Sequence, residues 1–377
     1  MGLRVSKTAL LFIIGVSLLA SVSYAQEKDV EESEPLFPIQ QNGKMGYIDK
    51  TGRIAIEPQF DWAERFSEGL ASVKIDGKWG YIDKTGNYVI KPQFDGAGSF
   101  SEGLASINIG GRGEVLSVAQ GGKWGYIDKT GRILIKPQFD KVWDFSEGLA
   151  NVKIGGKYGH IDKTGKYVIN PQFDKASGFS QGLAKAKIGG KYGYIDKTGK
   201  YVISPQFDTA WIFSEGLARI KNDGKCGYID RTGKIVINPQ FDRVFDFSEG
   251  LARVEIAGKW GFIDRTGKMV IKPQFDYSWC FSQTLASVKI GGKWGYIDKA
   301  GKIVISPQFD YAYSFSEGLA AVKVGGKYGF IDRTGKIVIN PQFDDAWRFS
   351  EGLANVKIGD KWGYIDNTGK YIWKPTE

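Results

Sequence analysis

The side chains with the strongest chemistry in this 377-residue chain are few: one histidine, His160, and two cysteines, Cys226 and Cys280. A lone imidazole has no second histidine to work with, no nucleophile–base set stands out, and no phosphate-cradling glycine motif is present. His160 stands where matching segments carry Tyr or Phe, and Cys226 where they carry Trp or Tyr, so both read as substitutions in a repeated framework. Cys280 lies between segments in a different repeat phase, which predicts two unpaired thiols. Asp49, Asp83, Asp128 and their counterparts recur once per segment at turns, whereas calcium needs several oxygens converging on one point. The expectation is therefore no enzyme, no cofactor and no metal site. A hydrolase working through paired carboxylates stands as a minor alternative.

Two aromatic series offer binding chemistry instead. In the first, each aromatic precedes a glycine: Trp79-Gly80, Trp124-Gly125, Trp260-Gly261, Trp294-Gly295 and Trp362-Gly363. Tyr158, Tyr192 and Tyr328 fill the same slot elsewhere, as do Met45 and Cys226. A large ring beside a glycine packs on a neighbouring segment, so this series is the structural signature. The second series is Trp143, Trp211, Phe245, Trp279, Tyr313 and Trp347, whose counterparts in three other segments are Glu64, Gly98 and Ser177. A position that accepts Glu and Gly is less committed to packing, and aromatics recurring on one face would form a binding stripe.

The elements that must carry these residues are repeats. The signature glycines fall at 46, 80, 125, 159, 193, 227, 261, 295, 329 and 363, every step being 34 residues except one of 45. Each unit holds a Pro, several Gly and many β-branched or aromatic residues, which excludes helix. A fixed period of this length means a solenoid, a propeller or a stacked array. Within one unit, Leu285–Ile290 alternates as a half-buried strand, Gly291-Gly292 is a hairpin turn, and Lys293–Ile297 is a second strand. Asp298–Gly301 turns the chain into a third strand, Lys302–Ile305, which Pro307 is expected to end. The long step comes from an insertion at residues 110–120, read as a protruding hairpin. The fold class is thus all-β, ten three-stranded antiparallel meanders. Neither end is split within a unit and ten exceeds the usual blade number, so an open curved or superhelical array is favoured over a closed β-propeller, with two five-unit rings as an alternative.

The run Lys78-Trp79-Gly80-Tyr81-Ile82-Asp83, a glycine turn, and Pro92-Gln93-Phe94-Asp95 resembles the bacterial WG-repeat, or KWG-repeat, family over nearly the whole chain. That resemblance implies a β-rich repeat module, often propeller-like, used for binding or scaffolding, with no shared catalytic residues.

The N-terminus carries Arg4 and Lys7, an apolar run from Ala9 to Ala20, and Ser23-Tyr24-Ala25, the pattern of a cleaved leader over residues 1–25. Residues 26–35 are acidic and aperiodic, and the repeats fill 36–377. The net charge of +9 is spread over turn lysines and arginines without a basic patch, which speaks against a nucleic-acid partner, and no second apolar stretch predicts membrane insertion after cleavage. The sequence predicts an exported protein, periplasmic or extracellular, that binds a protein or cell-envelope polymer. A carbohydrate- or peptidoglycan-binding protein using the second aromatic series is the alternative.

Overall fold

One unit shows how the sequence becomes a sheet. Ala286–Ile290 and Lys293–Ile297 pair antiparallel around Gly291 and Gly292, whose φ values of 57° and 85° give the tight turn that matches strand twist. Asp298 builds the next turn, its Oδ1 accepting from the N–H groups of Ala300 and Lys302 at 3.0 and 2.9 Å. The third long strand, Ile303–Phe309, runs through Pro307 rather than ending there. Trp294 pairs with Phe309 and Tyr296 with Ile305, so the proline sits in a bulge where no ladder N–H is required. The bulge also explains the signature glycine: a Cβ on Gly80 would meet Ile90 O at 2.5 Å and Pro92 N at 2.6 Å. Backbone, and not a cross-strand aromatic, fills the space that the missing side chain leaves.

The computed structural model describes residues 34–112 and 120–374. The expected leader, 1–25, lies outside the described residues, as does the acidic segment 26–35 except for Glu34 and Pro35. Every regular element described is a strand, and no helix is long and apolar enough to cross a membrane. The connection Pro307–Gly318 is not a loop. Tyr311 and Ala312 pair with Lys323 and Val322, and Ser316 and Leu319 close a second tight hairpin around Glu317 and Gly318, both at positive φ. Nine units therefore gain a short fourth strand. Nine sheets have four strands and one, Phe37–Gln41 with Lys44–Ile48 and Ile54–Phe60, has three among the described residues. The three-stranded meander is corrected accordingly.

Hydrophobic clusters lie between consecutive sheets and not within them. There are ten, and an open stack of ten sheets would have only nine such interfaces. The tenth joins Phe37, Ile39 and Ile48 of the first sheet to Leu353 and Tyr364 of the last. The Phe37 and Tyr364 rings meet edge-on at 5.5 Å, and Tyr364 Oη donates to Pro38 O at 3.0 Å. The favoured open array is thereby overturned: the chain forms a closed ten-bladed β-propeller. Closure is made by side chains of the first and last blades meeting face to face, with no strand exchanged between their sheets.

The short strands line the inner edge of the ring, where successive hairpin tips touch. Ser282 Oγ donates to Phe315 O and Ser316 Oγ to Phe349 O, each at 2.8 Å. Across the three-stranded first blade, Arg65 and Trp347 of the two flanking blades line one cleft. Where nine of the blades pass into the next, the lysine before the signature aromatic ties down the aspartate that follows the bulge strand, as in Lys293 Nζ–Asp310 Oδ1 at 2.6 Å. These are half-exposed pairs of small energetic weight. The long step arises because Leu104–Arg112 and Gln120–Asp128 extend their hairpin to the pair Arg112–Gln120. Its tip, 113–119, lies outside the described residues.

Candidate functional site

The second aromatic series sits directly after each short strand, held by a backbone bond to the next strand, such as Trp143 N–H to Asn151 O at 3.1 Å. The same register puts the signature aromatic two strands away on the same face. The two series, separate in the sequence, therefore meet in four blades: Trp143 and Tyr158 at 5.6 Å, Phe245 and Trp260 at 5.7 Å, Tyr313 and Tyr328 at 6.1 Å, and Trp347 edge-on to Trp362 at 6.2 Å. Trp211 faces the Arg219 guanidinium at 4.8 Å, and Trp279 packs edge-on against Tyr277 at 5.7 Å.

Two residues that the sequence reading passed over, Tyr277 and Tyr311, join neighbouring blades. Trp260 meets Tyr277 at 5.4 Å, Tyr277 meets Trp294 at 5.8 Å, and Trp294 meets Tyr311 at 5.2 Å. An unbroken aromatic ridge thus runs from Phe245 to Tyr328. Of the signature residues, Trp79, Trp260 and Trp294 are buried, Trp124 is half-buried and Trp362 is exposed. Of the second series, Trp143 is 40% exposed and Trp347 is 63% exposed, while Trp211, Phe245, Trp279 and Tyr313 are half-buried.

A polar row was also missed. At one position of the second strand in blades four to seven stand Asn151, Lys185, Arg219 and Arg253, each donating across the interface to the next blade's short strand. Asn151 Nδ2 reaches Ala176 O at 2.6 Å, Lys185 Nζ reaches Ala210 O at 3.3 Å, Arg219 reaches Val244 O at 3.2 Å, and Arg253 reaches Ser278 O. Arg253 is buried at 2% exposure, with its guanidinium 3.6 Å from the Phe245 ring centre and 4.9 Å from that of Trp260. Ring faces thus surround this charge. Arg219 is paired with Asp246 at 2.7 Å. The signal was available as a column of unlike residues at equal spacing, but a column 34 residues apart looks like scattered charge until the blades stack.

His160 occupies a slot whose tyrosines carry an interface bond. Tyr194 Oη donates to Trp211 O at 2.7 Å, and the His160 ring takes the same role with Nε2 at 2.8 Å from Ser177 O. Burial pushes its pKa down. The turn aspartates are consumed locally, Asp264 Oδ1 accepting from Thr266 Oγ1 at 2.6 Å, and that bond leads the lowering of its pKa. Among the described residues no group of three His, Cys, Asp or Glu is placed to hold a metal ion. Cys226 and Cys280 are both free thiols.

Nine consecutive segments, spanning 45–112 and 124–362, match the model of the WG containing repeat. The chain belongs to the WG-repeat family. The glycine of the WG pair is thus the residue over which the outer strand bulges, and its aromatic stands two strands outward from the second series. A crystal structure of the eukaryotic initiation factor is similar in fold, with a TM-score of 0.54 at 12% identity over 83% of this chain and 96% of that one. Weaker likenesses are the extracellular domain of a hybrid two-component system from B. thetaiotaomicron (TM-score 0.28, 10% identity, 89% of this chain) and PorZ, a surface component of the type-IX secretion system of Porphyromonas gingivalis (TM-score 0.29, 10% identity, 91% of this chain). The WG-repeat chain spans 61% and 53% of those two. No curated protein matches its sequence.

Clefts open where the two aromatic series meet. One of ≈ 370 Å³ in blades eight and nine is lined by Asp276, Tyr277, Trp279, Lys289, Trp294 and Tyr311. Another, of ≈ 310 Å³, lies between blades four and five beside Trp143, Tyr158 and Tyr192. A third, of ≈ 270 Å³, is lined by Arg65, Trp347, Asn355 and Trp362.

Proposed function

We propose that this WG-repeat ring is an exported, non-enzymatic scaffold that binds a protein or cell-envelope polymer along its inner aromatic edge. The observation that carries the reading is the exposure of Trp143 and Trp347, each packed against a second aromatic that fixes its orientation. Preordered aromatic faces lose little side-chain freedom on binding, which is how they act as anchors. Export is supported by the leader pattern of residues 1–25. The absence of a reaction is supported by the employment of His160 and of the turn aspartates in structural bonds.

The test is co-sedimentation of the purified chain, without residues 1–25, with isolated cell-envelope fractions. Binding should be saturable and should fall by about tenfold or more in a Trp143→Ala, Trp347→Ala double variant, the loss expected for truncated anchors, with unchanged melting. A double variant that sediments like wild type would remove the inner edge from the interaction. A wild-type chain that stays in the supernatant with every fraction would remove the envelope-polymer reading.

A further inference from the structure

The cleft between blades four and five combines three features that point to one ligand chemistry. Its walls are aromatic: Trp143 and Tyr158 lie 35° from coplanar with ring centres 5.6 Å apart, and Tyr192 stands on the next blade. Its charge is positive and unbalanced, for Lys175 and Lys185 line it and none of its lining residues bears a carboxylate. The adjacent acid, Asp174, is engaged by Lys157 at 2.7 Å. Further ammonium groups flank the walls, with Lys153 5.4 Å from the Tyr158 ring centre and Lys187 5.1 Å from that of Tyr192. Burial, and after it the neighbouring Arg219 and Lys175, push the Lys185 pKa down, as a cation short of counter-charge requires. Finally, Asn151 lines the cleft at 1% exposure; its amide nitrogen is spent on Ala176 O, while its Oδ1 has no hydrogen-bond partner among the described residues.

An aromatic wall takes the C–H face of a pyranose, and a buried acceptor takes a hydroxyl; ammonium groups with no acid beside them take a carboxylate, Lys185 keeping its bond to Ala210 O. We infer that this cleft binds an acidic sugar residue, with its ring face on Trp143, its carboxylate on Lys175 and Lys185, and a hydroxyl donating to Asn151 Oδ1. The volume of ≈ 310 Å³ suits one such residue of a longer chain. The inference rests on the scaffold reading above and narrows its partner to an acidic glycan.

The experiment is a titration of tryptophan fluorescence in the full ring with three probes: tetragalacturonate, its fully methyl-esterified form, and tetraglutamate. The ester keeps the sugar rings and removes the charge; the peptide keeps the charge and removes the rings. Tetragalacturonate should bind saturably, with the ester and the peptide each about tenfold weaker or worse, the usual size of one charge-assisted contact. The Lys175→Gln, Lys185→Gln variant should weaken the acid about tenfold and leave the ester unchanged. Lys175→Gln alone, at an exposed side chain, should give part of that loss without touching stability. Equal binding of acid and ester, tighter binding of tetraglutamate, or indifference of the acid to both lysine changes would each overturn the inference. If tetragalacturonate fails while the envelope fractions still bind, only the acidic-sugar step is lost; if both fail, the envelope-polymer reading falls with it.

Discussion

Replacing Phe37 by Ala tests ring closure directly. Phe37 is 2% exposed, packs against Leu353 and Tyr364 of the last blade, and meets the Tyr364 ring edge-on at 5.5 Å. Removing a buried Phe costs roughly 3–5 kcal/mol, within which the aromatic pairing itself accounts for about 1 kcal/mol. Phe315→Ala is the internal control, since Phe315 is 1% exposed and lies 4.8 Å from Tyr296 at an interface between blades eight and nine. In a closed ring the first blade is held on both sides, so both variants should lower the urea stability of the whole ring, and amide protection should fall in blades ten and one alike. In an open stack the first blade would be an end that frays by itself, because repeat stability is a sum of local and nearest-neighbour terms. Unfolding of the remaining blades within about 0.5 kcal/mol of wild type in Phe37→Ala, against a full loss in Phe315→Ala, would refute closure.

Three further outcomes follow from single residues. Ala300 interrupts a turn motif in which Thr266 and Thr334 donate Oγ1 to their aspartates at 2.6 Å; Ala300→Thr should raise stability by about 0.5–1 kcal/mol, read as a higher urea midpoint. A Cβ on Gly193 would meet Pro205 N at 2.7 Å, so Gly193→Ala should cost roughly 1–3 kcal/mol, whereas Gly189→Ala, with open space at its turn, should show only the smaller penalty of positive φ in thermal melts. Burial depresses the His160 pKa, so below the unfolded value of about 6.5 the unfolded chain binds more protons and stability falls with pH, while the contribution is fully present above it. His160→Tyr, which restores the side chain found in neighbouring blades, should remove that part of the slope in denaturation curves taken between about pH 6.5 and 5.

Much of a single blade was legible in the sequence. Gly291-Gly292, Asp298 and the alternation of Leu285–Ile290 act within a few residues, and local physics is written locally. The fourth strand was not legible, because Tyr311 and Ala312 are too short a run to show a period of two. Pro307 was read as a stop because its missing N–H forbids ladder pairing. It is harmless in a bulge, but that bulge exists only when Gly295 lies beneath it. The candidate residues Trp143, Trp211, Phe245, Trp279, Tyr313 and Trp347 were visible as departures from strict repetition. That Trp143, Phe245, Tyr313 and Trp347 meet the aromatics of the signature slot, and that Tyr277 and Tyr311 bridge blades, depends on register across three strands and between blades.

The amino-acid order by itself determined the unit, its ten copies, its hairpins and the positions that escape repetition, since each follows from turn chemistry and period. Tertiary structure alone decided the ring. Closure is set by the rotation between neighbouring blades summed ten times, a quantity that no single segment carries. It also decided that Asn151, Lys185, Arg219 and Arg253, evenly scattered along the chain, form one polar row, because stacking converts equal spacing in sequence into adjacency in space.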